Sequence, residues 1–303
     1  MPGATSRRRF LGASAACVAA VGSGAVGSAA VGPAARAAAA AANAAPELAT
    51  RGRLRQSVCR WTLPGTLPEV CEHVRRLGLQ GIDLLYPDEW EVARASGLTC
   101  SMGYASRRKE FIENGFNDPQ LHDMLTTELE TALPLAAKAG VPNLIAMFGN
   151  RRGRSDAEGI ANCVQGLSKV APVAEAHGVT VCVELLNSKV DHPDYQGDHT
   201  AFGATVMEKV GSPHVRLLYD IYHMQIMEGD VIRTIRDHRQ WIAHFHTGGV
   251  PGRHDIDDTQ ELNYHAVATA IADTGFSGYV AHEFKAKGEP YAALAAAHRI
   301  CTV

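Results

Sequence analysis

Four short apolar segments in the second half of the chain each end on a side chain that can bind a metal or move a proton. They cover residues 181–184, 217–220, 243–246 and 280–283, and their last residues are Glu184, Asp220, His246 and Glu283. A charged side chain at the end of an apolar segment is costly to bury alone. Three carboxylates and one imidazole in one pocket would repel one another unless a cation held them. The pattern therefore predicts a shared divalent metal.

The ligand types narrow the choice of metal. An oxygen-rich set with one nitrogen suits Mn²⁺, Mg²⁺ or Co²⁺ better than structural zinc, which prefers sulfur and nitrogen. The sequence contains no C-x-x-C pair, so a zinc-ribbon or thioredoxin-like site is not expected. The alternative is that each strand-end side chain makes its own salt bridge or helix cap, but four segments that end alike favour a shared metal.

These side chains need a scaffold that brings several strand ends together. Apolar runs alternate with amphipathic helical patterns, and the run centres advance by about 32 residues a step. Eight such strand-helix units fit an α/β fold of the (β/α)8 barrel type, whose functional groups lie at the carboxyl ends of the strands. We expect a single domain over residues 46–303. A doubly wound open sheet is the alternative, but the G-x-G-x-x-G turn of its dinucleotide site is missing after the first strand.

The expected element bounds follow from these patterns. The predicted strands are residues 56–60, 81–85, 98–102, 143–148, 180–185, 215–220, 242–246 and 279–283. The predicted helices include residues 67–77, 118–139, 156–177, 200–210, 229–237 and 262–274. Glycines at 78, 140, 178, 211 and 275 are expected to end helices in the left-handed conformation.

One known family has segments similar to four in this chain, at residues 56–61, 81–85, 220–230 and 250–254. The chain resembles the hydroxypyruvate isomerase family, of the xylose-isomerase-like TIM barrels, from about residue 55 to residue 288. The resemblance implies that the four strand-end residues are the metal ligands, and that Glu184 and Glu283 are also the acid/base pair. It implies that His223 reaches the substrate oxygens; the alternative is a loop histidine that is hydrogen-bonded to the backbone. His246 stands where hydroxypyruvate isomerases have Gln and where the related ketose 3-epimerases have His.

The resemblance implies a metal-dependent isomerase of a small hydroxy-carbonyl substrate, with hydroxypyruvate to tartronate semialdehyde as the leading reaction, through a cis-enediolate. Arg253 is a candidate to bind the carboxylate that hydroxypyruvate has and free ketoses lack. A loop salt bridge with Asp255 or Asp257 is the alternative for Arg253. Two other functions stay open: a ketose 3-epimerase or isomerase of free sugars, and a non-catalytic exported barrel that binds sugar.

The first 45 residues differ in composition from the rest. They contain four arginines, three of them consecutive at Arg7, Arg8 and Arg9, and no acidic residue. The alanine-rich stretch that follows makes this segment similar to a twin-arginine (Tat) signal peptide and linker. We therefore expect a removable signal within residues 1–45 and export to the periplasm or the cell exterior, and we expect no later membrane span.

The remaining chain has 25 basic and 32 acidic side chains, a net charge of −7. This balance argues against nucleic-acid binding, and so against an endonuclease for abasic DNA built on the same barrel. The expected partner is a small hydroxy-carbonyl or sugar substrate. The sequence leaves homo-oligomerisation open.

Overall fold

The computed structural model describes residues 52–303. The predicted signal peptide and linker, residues 1–45, lie outside this range and stay a prediction. Within it, eight parallel strands pair in sequence order and close into a barrel, because β8 pairs with β1. The strands are β1 Arg55–Cys59, β2 Gly81–Leu85, β3 Thr99–Gly103, β4 Asn143–Met147, β5 Thr180–Glu184, β6 Val215–Asp220, β7 Ile242–Thr247 and β8 Tyr279–His282. The predicted (β/α)8 barrel is confirmed.

The helices lie between successive strands and after the last one. In the described range they are α1 Leu67–Arg76, α2 Trp90–Ala95, α3 His122–Ala139, α4 Asp156–His177, α5 Thr200–Val210, α6 Ile221–Met227, α7 Val231–His238, α8 Tyr264–Asp273 and α9 Pro290–Cys301. The bounds of α4 and α5 are those predicted. The predicted helix at 118–139 begins instead as a 3₁₀ turn, Pro119–Leu121. The predictions did not include α2, α6 and α9, since two are short and the third is alanine-rich, which weakens the periodic signal.

The five predicted glycine ends are all left-handed, with φ between +63° and +88°. Gly140 and Gly178 end the two long helices α3 and α4 and turn the chain toward β4 and β5. At the other end of α4, Ser155 and Glu158 form a capping box that satisfies free amide groups of the first turn. Local sequence thus sets where the chain leaves a helix and enters the strands that lead to Glu184.

The strands are buried almost throughout, because helices cover the outside and side chains fill the inside of the barrel. The parallel register matches Asp220 of β6 with His246 of β7, so these two residues lie side by side at the carboxyl end. No helix in the described range is both long and apolar enough to span a membrane. The fold therefore gathers the strand-end residues at one rim.

Gly178→Ala tests the role of the left-handed helix end. A methyl group at Gly178 would meet no atom within 4 Å, so the cost comes from its φ of +63° alone. We expect a loss of about 1 kcal/mol in the free energy of unfolding, measured by urea denaturation. Gly288 also has open space but lacks a positive φ, so Gly288→Ala should leave stability unchanged or slightly raised. Equal effects of the two substitutions would contradict this assignment.

Candidate metal centre

The structure brings the four strand-end side chains together. Glu184 and Asp220 are the last residues of β5 and β6, His246 is the penultimate residue of β7, and Glu283 follows β8 directly. One ligand atom from each lies within 4.8 Å of the others, and all four residues are buried. This is the arrangement expected when neighbouring strands of a barrel end on polar side chains. Their role as ligands stays a prediction.

The imidazole of His246 lies at the centre of this group. Its Nδ1 is 2.6 Å from Glu283 Oε2, 3.3 Å from Glu184 Oε1 and 3.9 Å from Asp220 Oδ2. This buried nitrogen has no hydrogen bond of acceptable geometry. A ring nitrogen without a partner that faces three carboxylates fits a divalent cation with one nitrogen and three oxygen ligands.

Arg253 brings positive charge to the same carboxylates. Its Nη2 donates to Asp220 Oδ2 at 2.7 Å and also contacts Glu283 Oε2. The alternative of a loop salt bridge with Asp255 or Asp257 is not found, since Asp257 pairs with Lys287. Burial opposes the charge on Arg253, but Glu283 and Asp220 raise its pKa. Asp220 and Glu283 thus already bind one cation, the guanidinium of Arg253.

The two glutamates have different electrostatic environments. Burial is the main reason that the pKa of Glu184 rises to about 7, with His246 opposing the shift. Burial would raise the pKa of Glu283 as well, but Arg253 and His246 outweigh it and lower that pKa to about 2. Two carboxyl groups whose pKa values are pushed apart are typical of an acid/base pair.

His223 lies on α6, beside the carboxylates and on one wall of the open cavity. The backbone N–H of Asn187 donates to its Nδ1 at 3.1 Å, and its Nε2 lies 2.6 Å from Arg253 Nη1. Burial, followed by the charge of Arg253, lowers the pKa of His223 well below its usual value. A neutral imidazole is therefore held between the backbone of Asn187 and Arg253 at the wall of the cavity.

An open cavity of about 590 Å³ lies above the carboxylates. The carboxylates of Glu184 and Glu283 form its floor. Much of its wall is apolar, with Leu84, Phe111, Ile112, Met147, Val190, Ile226 and Val250. Trp61 stands at the rim and donates from Nε1 to Glu283 Oε1 at 2.8 Å. His192 and Lys285 also face this cavity. No sequence pattern predicts a role for these two residues, because they lie in loops.

Tyr195 fixes the position of the end of β5. Its buried hydroxyl donates to the carbonyl oxygen of Glu184 at 2.9 Å and accepts from the backbone N–H of Phe148 at 2.9 Å. It thus joins the loop after β5 to the ends of two strands. The sequence gives no direct signal for this contact, because the loop conformation determines it.

The fold and the site define the class of the protein, and comparison with known proteins agrees. Residues 71–301 match the xylose isomerase-like TIM barrel family, and the chain belongs to this family. A solved structure with the same fold is a 3-keto-D-glucoside 4-epimerase from E. coli, with a TM-score of 0.68 and 19% identity over 81% of this chain and 99% of that one. At this identity the likeness concerns the fold alone.

Two relatives found by sequence have names that state a reaction. A putative hydroxypyruvate isomerase from Homo sapiens is 30% identical over 166 residues, which is 53% of this chain and 60% of the relative. A 2-oxo-tetronate isomerase from Cupriavidus necator is 32% identical over 134 residues, which is 44% of this chain and 51% of the relative. Both relatives are named isomerases, which agrees with the predicted class of enzyme. The aligned parts span about half to three-fifths of these relatives.

Tyr195→Phe tests the contact that holds the end of β5. The change leaves a buried amide and a buried carbonyl without this partner, so we expect the free energy of unfolding to fall by about 1–3 kcal/mol in urea denaturation. Tyr279 is a matched control, since it is also buried but its hydroxyl has no hydrogen bond within the described residues. Tyr279→Phe should change stability by less than about 0.5 kcal/mol. Similar losses in both variants would show that the hydroxyl of Tyr195 is not the cause.

Proposed function

We propose that this chain is a metal-dependent isomerase of a small hydroxy-carbonyl compound, with conversion of hydroxypyruvate to tartronate semialdehyde as its reaction. The observation that supports it best is the convergence of three buried carboxylates and one imidazole within 4.8 Å at the carboxyl end of the barrel. The isomerase names of the relatives support the same reaction class. Glu184, Asp220, His246 and Glu283 would hold Mn²⁺, Mg²⁺ or Co²⁺.

When bound, the metal supplies a Lewis acid that polarises a carbonyl and acidifies the adjacent C–H bond. Of the protein groups, one glutamate of the pair removes the proton on carbon 3, and a carboxyl group returns a proton to carbon 2. The hydroxyl proton passes from the oxygen on carbon 3 to the oxygen on carbon 2. The reaction therefore balances without an external oxidant or reductant.

Two further residues bind the substrate in this proposal. Neutral His223 would present Nε2 to the substrate oxygens once Arg253 Nη1 moves away from that atom. Arg253 binds the carboxylate of hydroxypyruvate, since a guanidinium matches a carboxylate with two parallel hydrogen bonds. To do so, its guanidinium must give up one of its contacts with Asp220 and Glu283.

The cavity favours a second candidate, an isomerase or 3-epimerase of free ketoses. A volume of about 590 Å³ lies within the range that encloses drug-sized ligands, far larger than a three-carbon acid needs. The two candidates use the same ligands and the same pair of glutamates. An isomerase returns the proton to the neighbouring carbon, whereas an epimerase returns it to the opposite face of the same carbon. They differ in whether the substrate has a carboxylate for Arg253 to bind.

The deciding experiment assays the purified chain, loaded with Mn²⁺, against hydroxypyruvate and against free ketoses in deuterated water. We expect turnover of hydroxypyruvate with deuterium incorporated at carbon. Turnover of ketoses alone would replace the first candidate by the second. No deuterium in any substrate would contradict both and favour a barrel that only binds sugar.

Glu184→Gln and Glu283→Gln test the acid/base pair. Each removes a proton acceptor without changing the shape of the side chain, so each should lower kcat/KM for the active substrate by at least about 10²-fold while the circular dichroism spectrum stays unchanged. Glu208→Gln is the matched control, because Glu208 is exposed on α5 and should keep full activity. Near-normal turnover by either site variant would exclude that glutamate as an essential acid or base.

Export is also proposed for this chain, on the basis of the three consecutive arginines Arg7, Arg8 and Arg9. Residues 1–45 fused to a reporter protein should direct it out of the cytoplasm. Substitution of all three arginines by lysine keeps the charge but removes the twin-arginine pattern, so the reporter should stay inside. Equal export of both fusions would contradict Tat recognition.

A further inference from the structure

Asp83 lies beneath the candidate metal centre, on the far side of His246. Its Oδ2 is 2.8 Å from His246 Nε2 and 3.2 Å from His244 Nε2, and Ser101 Oγ donates to its other oxygen. Asp83 and both histidines are 0% exposed. A buried carboxylate therefore bonds to the one ring nitrogen of His246 that does not face the glutamates.

The backbone around Asp83 departs from regular strand pairing. The β2–β3 register shifts on both sides of Asp83, and the next residue, Leu84, has a φ of +60°. A bulge changes the direction in which a side chain points, and a positive φ is strained for a residue other than glycine. The fold thus accepts strain at the point where β2 directs a carboxylate toward His246.

The hydrogen bond determines which ring nitrogen of His246 is free. An ionised carboxylate only accepts hydrogen bonds, so the proton of a neutral His246 must lie on Nε2. The lone pair of the ring is then on Nδ1, the atom that lies within 3.9 Å of Glu184, Asp220 and Glu283. We infer that Asp83 is a positioning residue that orients His246 and presents its Nδ1 to the metal, an inference that rests on the metal site of the proposed function.

Cys59 offers a competing explanation of the same cluster. Its Sγ lies 3.8 Å from Asp83 Oδ2 and 3.9 Å from His246 Nε2, so these three residues form a second group with metal-ligand spacing. A second metal there would need His246 to bind through both nitrogens at once. Asp83 already accepts from two histidines and a serine, which satisfies its oxygens without an ion. The hydrogen-bond network is therefore the simpler account.

Asp83→Asn tests the inference through metal affinity. The amide keeps the size of the side chain but removes the charge and can offer an N–H to His246, which favours the wrong tautomer. In calorimetric titration of EDTA-treated protein with Mn²⁺, we expect one ion per wild-type chain and a Kd for Asp83→Asn that is 10–100-fold weaker. Urea denaturation identifies a variant that is merely unfolded. Wild-type affinity in folded Asp83→Asn would overturn the inference while leaving the metal proposal intact.

Cys59→Ala is the control that separates the two explanations. If Asp83 acts by positioning, Cys59→Ala should keep the Mn²⁺ Kd within about twofold, and the Co²⁺-loaded wild type should lack a thiolate charge-transfer band. The inference would be overturned if each wild-type chain bound two ions and showed such a band, and if Cys59→Ala abolished the band. That result would favour a second metal. A wild-type chain that binds no Mn²⁺ would contradict the metal proposal itself.

A measurement on the wild type does not depend on the folding of any variant. In protein with ¹⁵N-labelled histidine loaded with Zn²⁺, the NMR signals of His246 should show a protonated Nε2 and a metal-bound Nδ1. His246→Gln identifies the signals. A metal-bound Nε2 would overturn the inference.

Discussion

The main constraint on this structure is that the negative charge of three buried carboxylates must be neutralised. Glu184, Asp220 and Glu283 meet around the imidazole of His246 at the carboxyl end of the barrel, largely shielded from bulk water. Each carboxylate loses several kcal/mol of hydration there, and mutual repulsion adds to the cost. Such a group persists only with positive charge beside it, which Arg253 supplies in part and a divalent metal would supply in full.

Other residues contact this group from two sides. Above the carboxylates, the loop after β7 delivers Arg253, and Trp61 donates a hydrogen bond to Glu283. Below them, Asp83 reaches across the barrel interior from β2 and bonds to the opposite nitrogen of His246. One imidazole therefore links a negative charge beneath it to a cation site above it. In the proposed function the histidine is an oriented ligand, because Asp83 binds its Nε2 and leaves its Nδ1 to the metal.

The floor and the walls of the cavity suit different parts of a substrate. The floor offers fixed polar groups for a hydroxy-carbonyl unit, whereas the apolar walls and a volume of about 590 Å³ leave room for more than three carbons. Relatives named for hydroxypyruvate and for 2-oxo-tetronate act on acids of different size, by their names. In the proposed function, the floor therefore supplies the chemistry, and the walls and loops distinguish between substrates.

The sequence by itself determined the barrel, the bounds of α4 and α5, the left-handed glycines and the chemical types at four strand ends. These features depend on local periodicity, or on parallel strands that end at the same rim, so a linear pattern contains them. Only the tertiary structure decided that Asp83 bonds to His246, 163 residues away, and that Arg253 pairs with Asp220 and Glu283 rather than with its loop neighbours. Those contacts depend on a bulge in β2, on loop paths and on side-chain directions across the barrel. Their energies arise between groups distant in the chain, and no local pattern records them.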